Sequence, residues 1–249
     1  MFTFNDRCSP LPIIFRTQRE RGMCDTSPSW TLYTNTTRLS SLREFIFLRA
    51  GVTPVMYWIT PKAAHTTIVN RLLRRPPFRI VEVVGADIAE SARRARFEAL
   101  RQRYRPFEFT FVREPTELLL SALDQMRFCR QLPAAASVAD YLTTFYEFKD
   151  NVWPSRACRE LHLYPQVAGY PGGVQRLDFI GHVERLQDDW RILLRALNVT
   201  SLAGGVAVPR VNQRKRPPFM RQRVNWMTFA THPAIRAHTR LDYECLQFP

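Results

Sequence analysis

Two short stretches of this sequence place cations and hydroxyls where anion chemistry needs them. "TPKAAHTT" holds Lys62, Thr66 and Thr67, and "FTFVREPTELLLSAL" holds Arg113 and Ser121. Lysine is rare: Lys62, Lys149 and Lys215 are the whole complement in a chain whose lysines and arginines total 36. A compact ammonium on a flexible stem follows a moving negative charge in a way that a planar guanidinium fork does not, which suits group transfer. After Lys62 come the small Ala63 and Ala64, which admit a ligand close to the backbone, then His65 and two hydroxyls at the start of a helix. Helix amino termini expose N–H groups and partial positive charge, so they hold phosphate. The turn is not a Walker A loop, whose pattern needs two glycines. The competing readings are a plain connection with a solvated lysine, and for Arg113 a salt bridge with Glu114 or Glu117.

These turns need a frame. The alternating "VMYWI" before Lys62 predicts a strand, and Ile68, Leu72 and Leu73 after it show helical spacing. "FRIVEVV" reads as a second strand, "DIAESARRARFEALRQRY" as a helix, "FEFTFVREP" as a third strand and "TELLLSALDQMRF" as the helix that follows. "SVADYLTTFYEF" predicts a further helix. "RLDFIGHVERLQDDWRILLRALN" predicts a short strand, a turn at Gly181 and His182, and an amphipathic helix. Strand and helix alternate, which predicts one α/β domain: a central parallel sheet flanked by helices. Ligands bind beyond the carboxyl ends of such strands, where Lys62 and Arg113 both fall. A ligand with two separated phosphates would bridge them. Residues 51–249 form this domain. Residues 1–50 read as an arm packed on it, ending in a short helical "SSLREFIFLRA".

The chain of 249 residues is 45% hydrophobic, enough for one sizeable core, and its net charge of +14 points to an anionic partner. Its apolar runs fall far short of the roughly 20 residues that span a bilayer, so no transmembrane segment is expected, and no ordinary signal peptide is visible. The five cysteines lack zinc spacing, so no metal is expected. Asn35 and Asn198 begin glycosylation sequons, although Asn198 equally suits the end of a helix.

With these residues in place, the sequence resembles the Golgi membrane-associated carbohydrate sulfotransferases (sulfotransferase family 2-like) that use 3′-phosphoadenosine 5′-phosphosulfate (PAPS). "TPKAAHTTIVNRLL" is similar to their P-loop-like phosphosulfate segment, and "FTFVREPTELLLSAL" to their 3′-phosphate segment. "HLYPQ", "LDFIGHVERLQDDWRILLRALN", "VPRVNQRKR" and "IRAHTRLDYECLQF" resemble four further stretches in the family's order, over roughly residues 54–248. The resemblance implies that Lys62 meets the sulfonate and bridging oxygen, that Ala63, Ala64, His65, Thr66 and Thr67 line the 5′-phosphosulfate, and that Arg113 and Ser121 hold the 3′-phosphate. It also implies a glycan acceptor, no metal, and a Golgi lumenal setting. Two positions differ: His65 replaces a small residue, and Leu119 a common arginine.

The base for the acceptor hydroxyl stays open among three residues. His162 in "HLYPQ" comes first, because imidazole titrates near pH ~6.5; His65 and Glu82 follow. A structural His162, a space-filling His65 and a Glu82 paired with an arginine are the competing readings. The basic loop around Arg210, Arg214, Lys215, Arg216 and Arg221 covers either the nucleotide or an acidic glycan. The rival function is a non-catalytic nucleic-acid or polyanion binder, which needs stacking aromatics interleaved with basic residues. For an enzyme, any nucleic-acid affinity should instead be nonspecific and collapse with salt.

Overall fold

A computed structural model describes residues 44–85, 89–129, 135, 137–148, 165–167, 170, 173–199, 226–246 and 248. The first strand, β1 (Phe45–Ala50), pairs antiparallel with β2 (Thr53–Trp58) through a two-residue hairpin in which Gly51 takes a φ of 59°. "SSLREFIFLRA" was expected to be helical, and its second half is instead a strand inside the sheet. Phe45, Ile46, Phe47 and Leu48 are buried on both faces, so the alternation that marks a half-exposed strand is missing, and a short continuous apolar run does not separate strand from helix. The sheet thus takes in the last residues assigned to the arm; residues 1–43 lie outside the described residues.

After β2 the chain turns through Lys62 into α1, a helical turn (His65–Thr67) continued by a π-helical stretch (Ile68–Leu73). There follow β3 (Phe78–Val84), α2 (Glu90–Tyr104), β4 (Phe107–Val112), α3 (Pro115–Cys129), α4 (Val138–Phe148), β5 (Phe179–His182), α5 (Leu186–Ala196), α6 (Trp226–Thr231) and α7 (Pro233–Leu246). The five strands stand in the order β3-β1-β2-β4-β5. The β2–β4 and β4–β5 pairs are parallel, as expected, while β1 runs antiparallel between β2 and β3. The sheet is therefore mixed and mostly parallel. β1 belongs to a hairpin, and the period of its side chains does not reveal strand direction.

Both faces of the sheet are covered. On one, Phe45, Phe47, Met56, Trp58 and Val112 pack under Phe97 and Leu100 of α2 and Leu241 and Leu246 of α7. On the other, Ile46, Leu48, Val55, Tyr57, Phe109 and Phe111 pack under Ile68 and Leu72 of α1 and Trp190 and Leu193 of α5. A third cluster joins α3, α4, α6 and α7 through Leu119, Leu123, Met126, Phe145, Phe229 and Ile235. Leu119 thus serves this apolar contact.

Candidate functional site

The Lys62 turn is bent by backbone strain. Lys62 and Ala64 adopt φ of 64° and 54°, a left-handed conformation that costs a non-glycine residue on the order of 1–2 kcal/mol. Such conformations persist where surrounding structure enforces them, and they concentrate at functional sites. The enforcement is visible. Ala63 N–H donates to Thr60 O at 3.2 Å, and the Thr67 and Ile68 N–H groups converge on Ala64 O at 2.9 and 3.0 Å. Ala63 is fully buried and Ala64 packs against the core, so their small side chains fill space that a larger one would overfill. Among the described residues no side chain caps α1 at Ala64.

The second turn is held by its own ligatures. Glu114 accepts the Glu117 N–H at 2.6 Å, capping α3 ahead of Pro115, whose missing N–H costs nothing at that position. Arg113 is gripped by an amide: its N–H donates to Gln166 Oε1 at 2.7 Å, and Gln166 Nε2 donates to Arg113 O at 2.6 Å. Gln166 is the last residue of "HLYPQ" and is fully buried. Sequence reasoning passed over it in favour of His162, although a polar residue in that stretch was the available signal. The Arg113 guanidinium donates to Glu117 at 2.9 Å, the alternative weighed from sequence.

The two turns are brought together. Trp58 pairs with Thr110 in register, and Thr110 Oγ1 donates to Trp58 O at 2.9 Å. Thr60, just before Pro61 and Lys62, hydrogen-bonds Thr110 at 3.0 Å and the Tyr170 hydroxyl at 2.8 Å. Beyond the sheet, Lys62 Nζ donates to Gln125 Oε1 on α3 at 3.1 Å. Glu117, Ser121 and Gln125 recur every four residues on α3 and are half-buried, so one polar row leads from Arg113 past Ser121 to Lys62. Arg113, Ser121 and Lys62 thus occupy one edge of the molecule.

His65 is half-buried beside Lys62, with its Nε2 at 3.4 Å from Thr66 Oγ1. Burial, and then the Lys62 charge, lower its pKa, so the ring is neutral at neutral pH. Glu82 is corrected by the fold. It sits in β3, which pairs with β1 rather than β2, and is bound to the Arg96 guanidinium by three contacts of 2.6–2.9 Å. His162 and the loop from Arg210 to Arg221 lie outside the described residues. His182, expected in a turn, ends β5 instead. It is buried, its Nε2–H donates to Leu246 O at 3.2 Å, and Nδ1 accepts from Arg185 at 2.9 Å. Burial and Arg185 lower its pKa. Tyr243 of α7 joins Glu114 and Thr116 by hydrogen bonds, and its hydroxyl is pushed up to about 12, chiefly by burial.

The aromatics of α2 do not serve stacking on a nucleic acid. Phe97 is in the core, and Tyr104 lies on Phe47 with Arg49 and Arg103 over its ring. Among the described residues no cluster of three His, Cys, Asp or Glu side chains is placed to hold a metal ion, and no helix is long and apolar enough to cross a membrane.

The fold and the two turns define an open α/β domain with cations at the carboxyl ends of adjacent parallel strands. Residues 46–240 match the model of the sulfotransferase family, and the chain belongs to that family. Its chemistry is sulfonate transfer, and the protein is a transferase of that class. Neither the curated proteins nor the solved structures yield a match.

Proposed function

We propose that this sulfotransferase moves a sulfonate from PAPS to a hydroxyl of a carbohydrate acceptor. The observation that carries the reading is the polar row on α3, which ties the strained Lys62 turn at one end to the clamped Arg113 turn at the other. The residues fit a donor with two separated anionic groups. Backbone around Lys62 to Thr67 and the two threonines receive the 5′ end, while Arg113 and Ser121 receive the 3′-phosphate, with Arg113 exchanging Glu117 for it. When bound, PAPS supplies an activated sulfonate on a phosphate leaving group.

The chain's own residues then do three things. Lys62 leaves Gln125 and places one donor at the oxygen where charge grows. The loop and Arg113 fix orientation. A base accepts the acceptor's hydroxyl proton; His162 and the neutral His65 are the candidates, and Glu82, committed to Arg96, is not. The reading includes a Golgi lumenal setting, by resemblance alone.

The test is transfer of labelled sulfonate from PAPS to a panel of glycans. Lys62→Ala should lower kcat by about 10²-fold or more, as removal of one preorganised charge-stabilising donor does. Lys62→Arg should also be poor. Transfer by Lys62→Ala at the wild-type rate would refute the assignment. A folded wild type that binds no 3′-phosphoadenosine 5′-phosphate would refute the donor.

A further inference from the structure

The end of the sheet away from Lys62 and Arg113 carries one sign of charge. β1 ends there and β2, β3 and β4 begin there, so α1 and α2, which return the chain, also finish there. Arg49 of β1 lies directly opposite Arg79 of β3 in the paired register, an arrangement in which like charges repel. Arg49 and Arg103, in the last turn of α2, both stand over the Tyr104 ring, at 5.9 and 5.0 Å from its centre. Arg105 follows α2, and Arg74 and Arg75 follow α1; all are exposed except the half-buried Arg49. None of these arginines meets a carboxylate among the described residues. The acids close by are already engaged, Glu108 by Arg101 and Trp58 and Asp178 by the Glu108 N–H. The carboxyl end of α2 offers about half a negative charge, too little for so many guanidiniums.

The β1–β2 hairpin turns at this same end. In the strand order it stands between the start of β3, with Arg74, Arg75 and Arg79, and the start of β4, with Arg103 and Arg105. Its tip is Val52, 88% exposed, more than any other large apolar side chain among the described residues. Gly51 N–H donates to Pro77 O at 3.2 Å, which fastens the tip to the turn that holds Arg74 and Arg75. We propose that this end docks on a membrane surface that carries anionic lipid headgroups. The arginines meet the headgroups, and Val52 enters the boundary of the acyl chains, the division between cations and apolar side chains that interfacial binding uses. A soluble polyanion would answer the charges alone and leave Val52 in water. Strands of about six residues, at roughly 3.3 Å each, then hold the Lys62 and Arg113 turns about 20 Å from the surface, facing away from it.

Vesicle flotation tests this independently of sulfonate transfer. Wild type is mixed at about 0.15 M salt with vesicles of phosphatidylcholine alone, and with vesicles about one-third phosphatidylserine. It should bind the anionic vesicles and leave the neutral ones. An arginine at an anionic surface is worth about fivefold in binding, so Arg74→Gln with Arg75→Gln, and separately Arg49→Gln with Arg79→Gln, should each weaken it roughly 20-fold or more. Arg94→Gln with Arg191→Gln removes equal charge from exposed positions early in α2 and midway along α5, and should weaken it about twofold. Val52→Asp should bind about tenfold more weakly or worse, and Val52→Trp, with more apolar area, should bind more tightly, a gain that misfolding does not produce. Inorganic polyphosphate serves as a soluble polyanion in a second arm. The proposal is overturned if wild type ignores the anionic vesicles, or if the Arg94 and Arg191 pair loses as much binding as the other two pairs. It is also overturned if both Val52 variants float as wild type does while polyphosphate binding follows the arginines, because the surface then serves a soluble polyanion.

Discussion

Gln166→Leu removes the amide clamp on Arg113 while keeping similar bulk. Gln166 is fully buried, and its two hydrogen bonds of 2.7 and 2.6 Å satisfy the N–H and C=O of one residue. A buried backbone group left unpaired costs about 1–3 kcal/mol. Arg113 is only half-buried, so water relieves part of this and the pair should cost about 2–4 kcal/mol. With a urea m-value near 2 kcal/mol/M, the unfolding midpoint should fall by about 1–2 M. The loss is not only global. Released from Gln166, the strand end no longer aims the guanidinium, and the preference for 3′-phosphoadenosine 5′-phosphate over adenosine 5′-phosphate should shrink roughly tenfold, or about 1.4 kcal/mol. Urea titration followed by circular dichroism reads the first effect; calorimetric titration with both nucleotides, at concentrations where the variant is folded, reads the second. Gln166→Glu should recover part of the stability, because one oxygen still accepts from Arg113 N–H. An unchanged midpoint would refute the clamp. A lowered midpoint with an intact nucleotide preference would show that Gln166 holds the fold and has no part in aiming Arg113.

Three other outcomes follow from the same reasoning. Tyr57 is fully buried with no partner for its hydroxyl among the described residues, and burial raises its pKa; Tyr57→Phe should leave stability unchanged or raise it by about 1 kcal/mol, read from the melting temperature. Ala64→Gly removes left-handed strain and should stabilise by roughly 0.5–1 kcal/mol, less than the full strain because glycine gains freedom in the unfolded chain; Lys62→Gly should be equally stable and inactive. Burial lowers the pKa of His65 and His182, so between pH ~6.5 and their folded values the unfolded chain binds more protons, and stability falls as pH drops through that window. A His182→Gln variant should show a shallower decline below pH ~6.5, measured by denaturant unfolding.

The strand ends were legible because each carries a local signature: a change of period at Lys62, a charged turn at Arg113. Helices α2, α3 and α4 were legible for the same reason. β1 was not, since burial on both faces erased its alternation, and its antiparallel direction depends on pairing that no local pattern encodes. Reading β3 as the neighbour of β2 put Glu82 near the chemistry, until the inserted β1 moved it a strand away. Gln166 and Gln125 escaped notice because an uncharged amide has no pKa to perturb and no motif of its own; only its partners 53 and 63 residues away show its use. Asn198 was read as a helix end or a glycosylation acceptor, and the first is present: it takes a φ of 59° after α5, with Val199 N–H reaching back to Leu194 O.

The row along α3 also acts as a gauge. Glu117 and Gln125 are eight positions apart, which fixes about 12 Å between the contacts to the two turns. A helix neither stretches nor coils to suit a guest. One residue inserted between them would swing Gln125 by about 100° and lengthen the interval, parting Lys62 from its rest without touching either turn. A net charge of +14 favours polyanions without regard to their kind. On the proposed function, a rigid interval would restore the discrimination that charge lacks by sorting ligands by the distance between their negative groups, and deletions or insertions in α3 should prove less tolerable than substitutions anywhere along it.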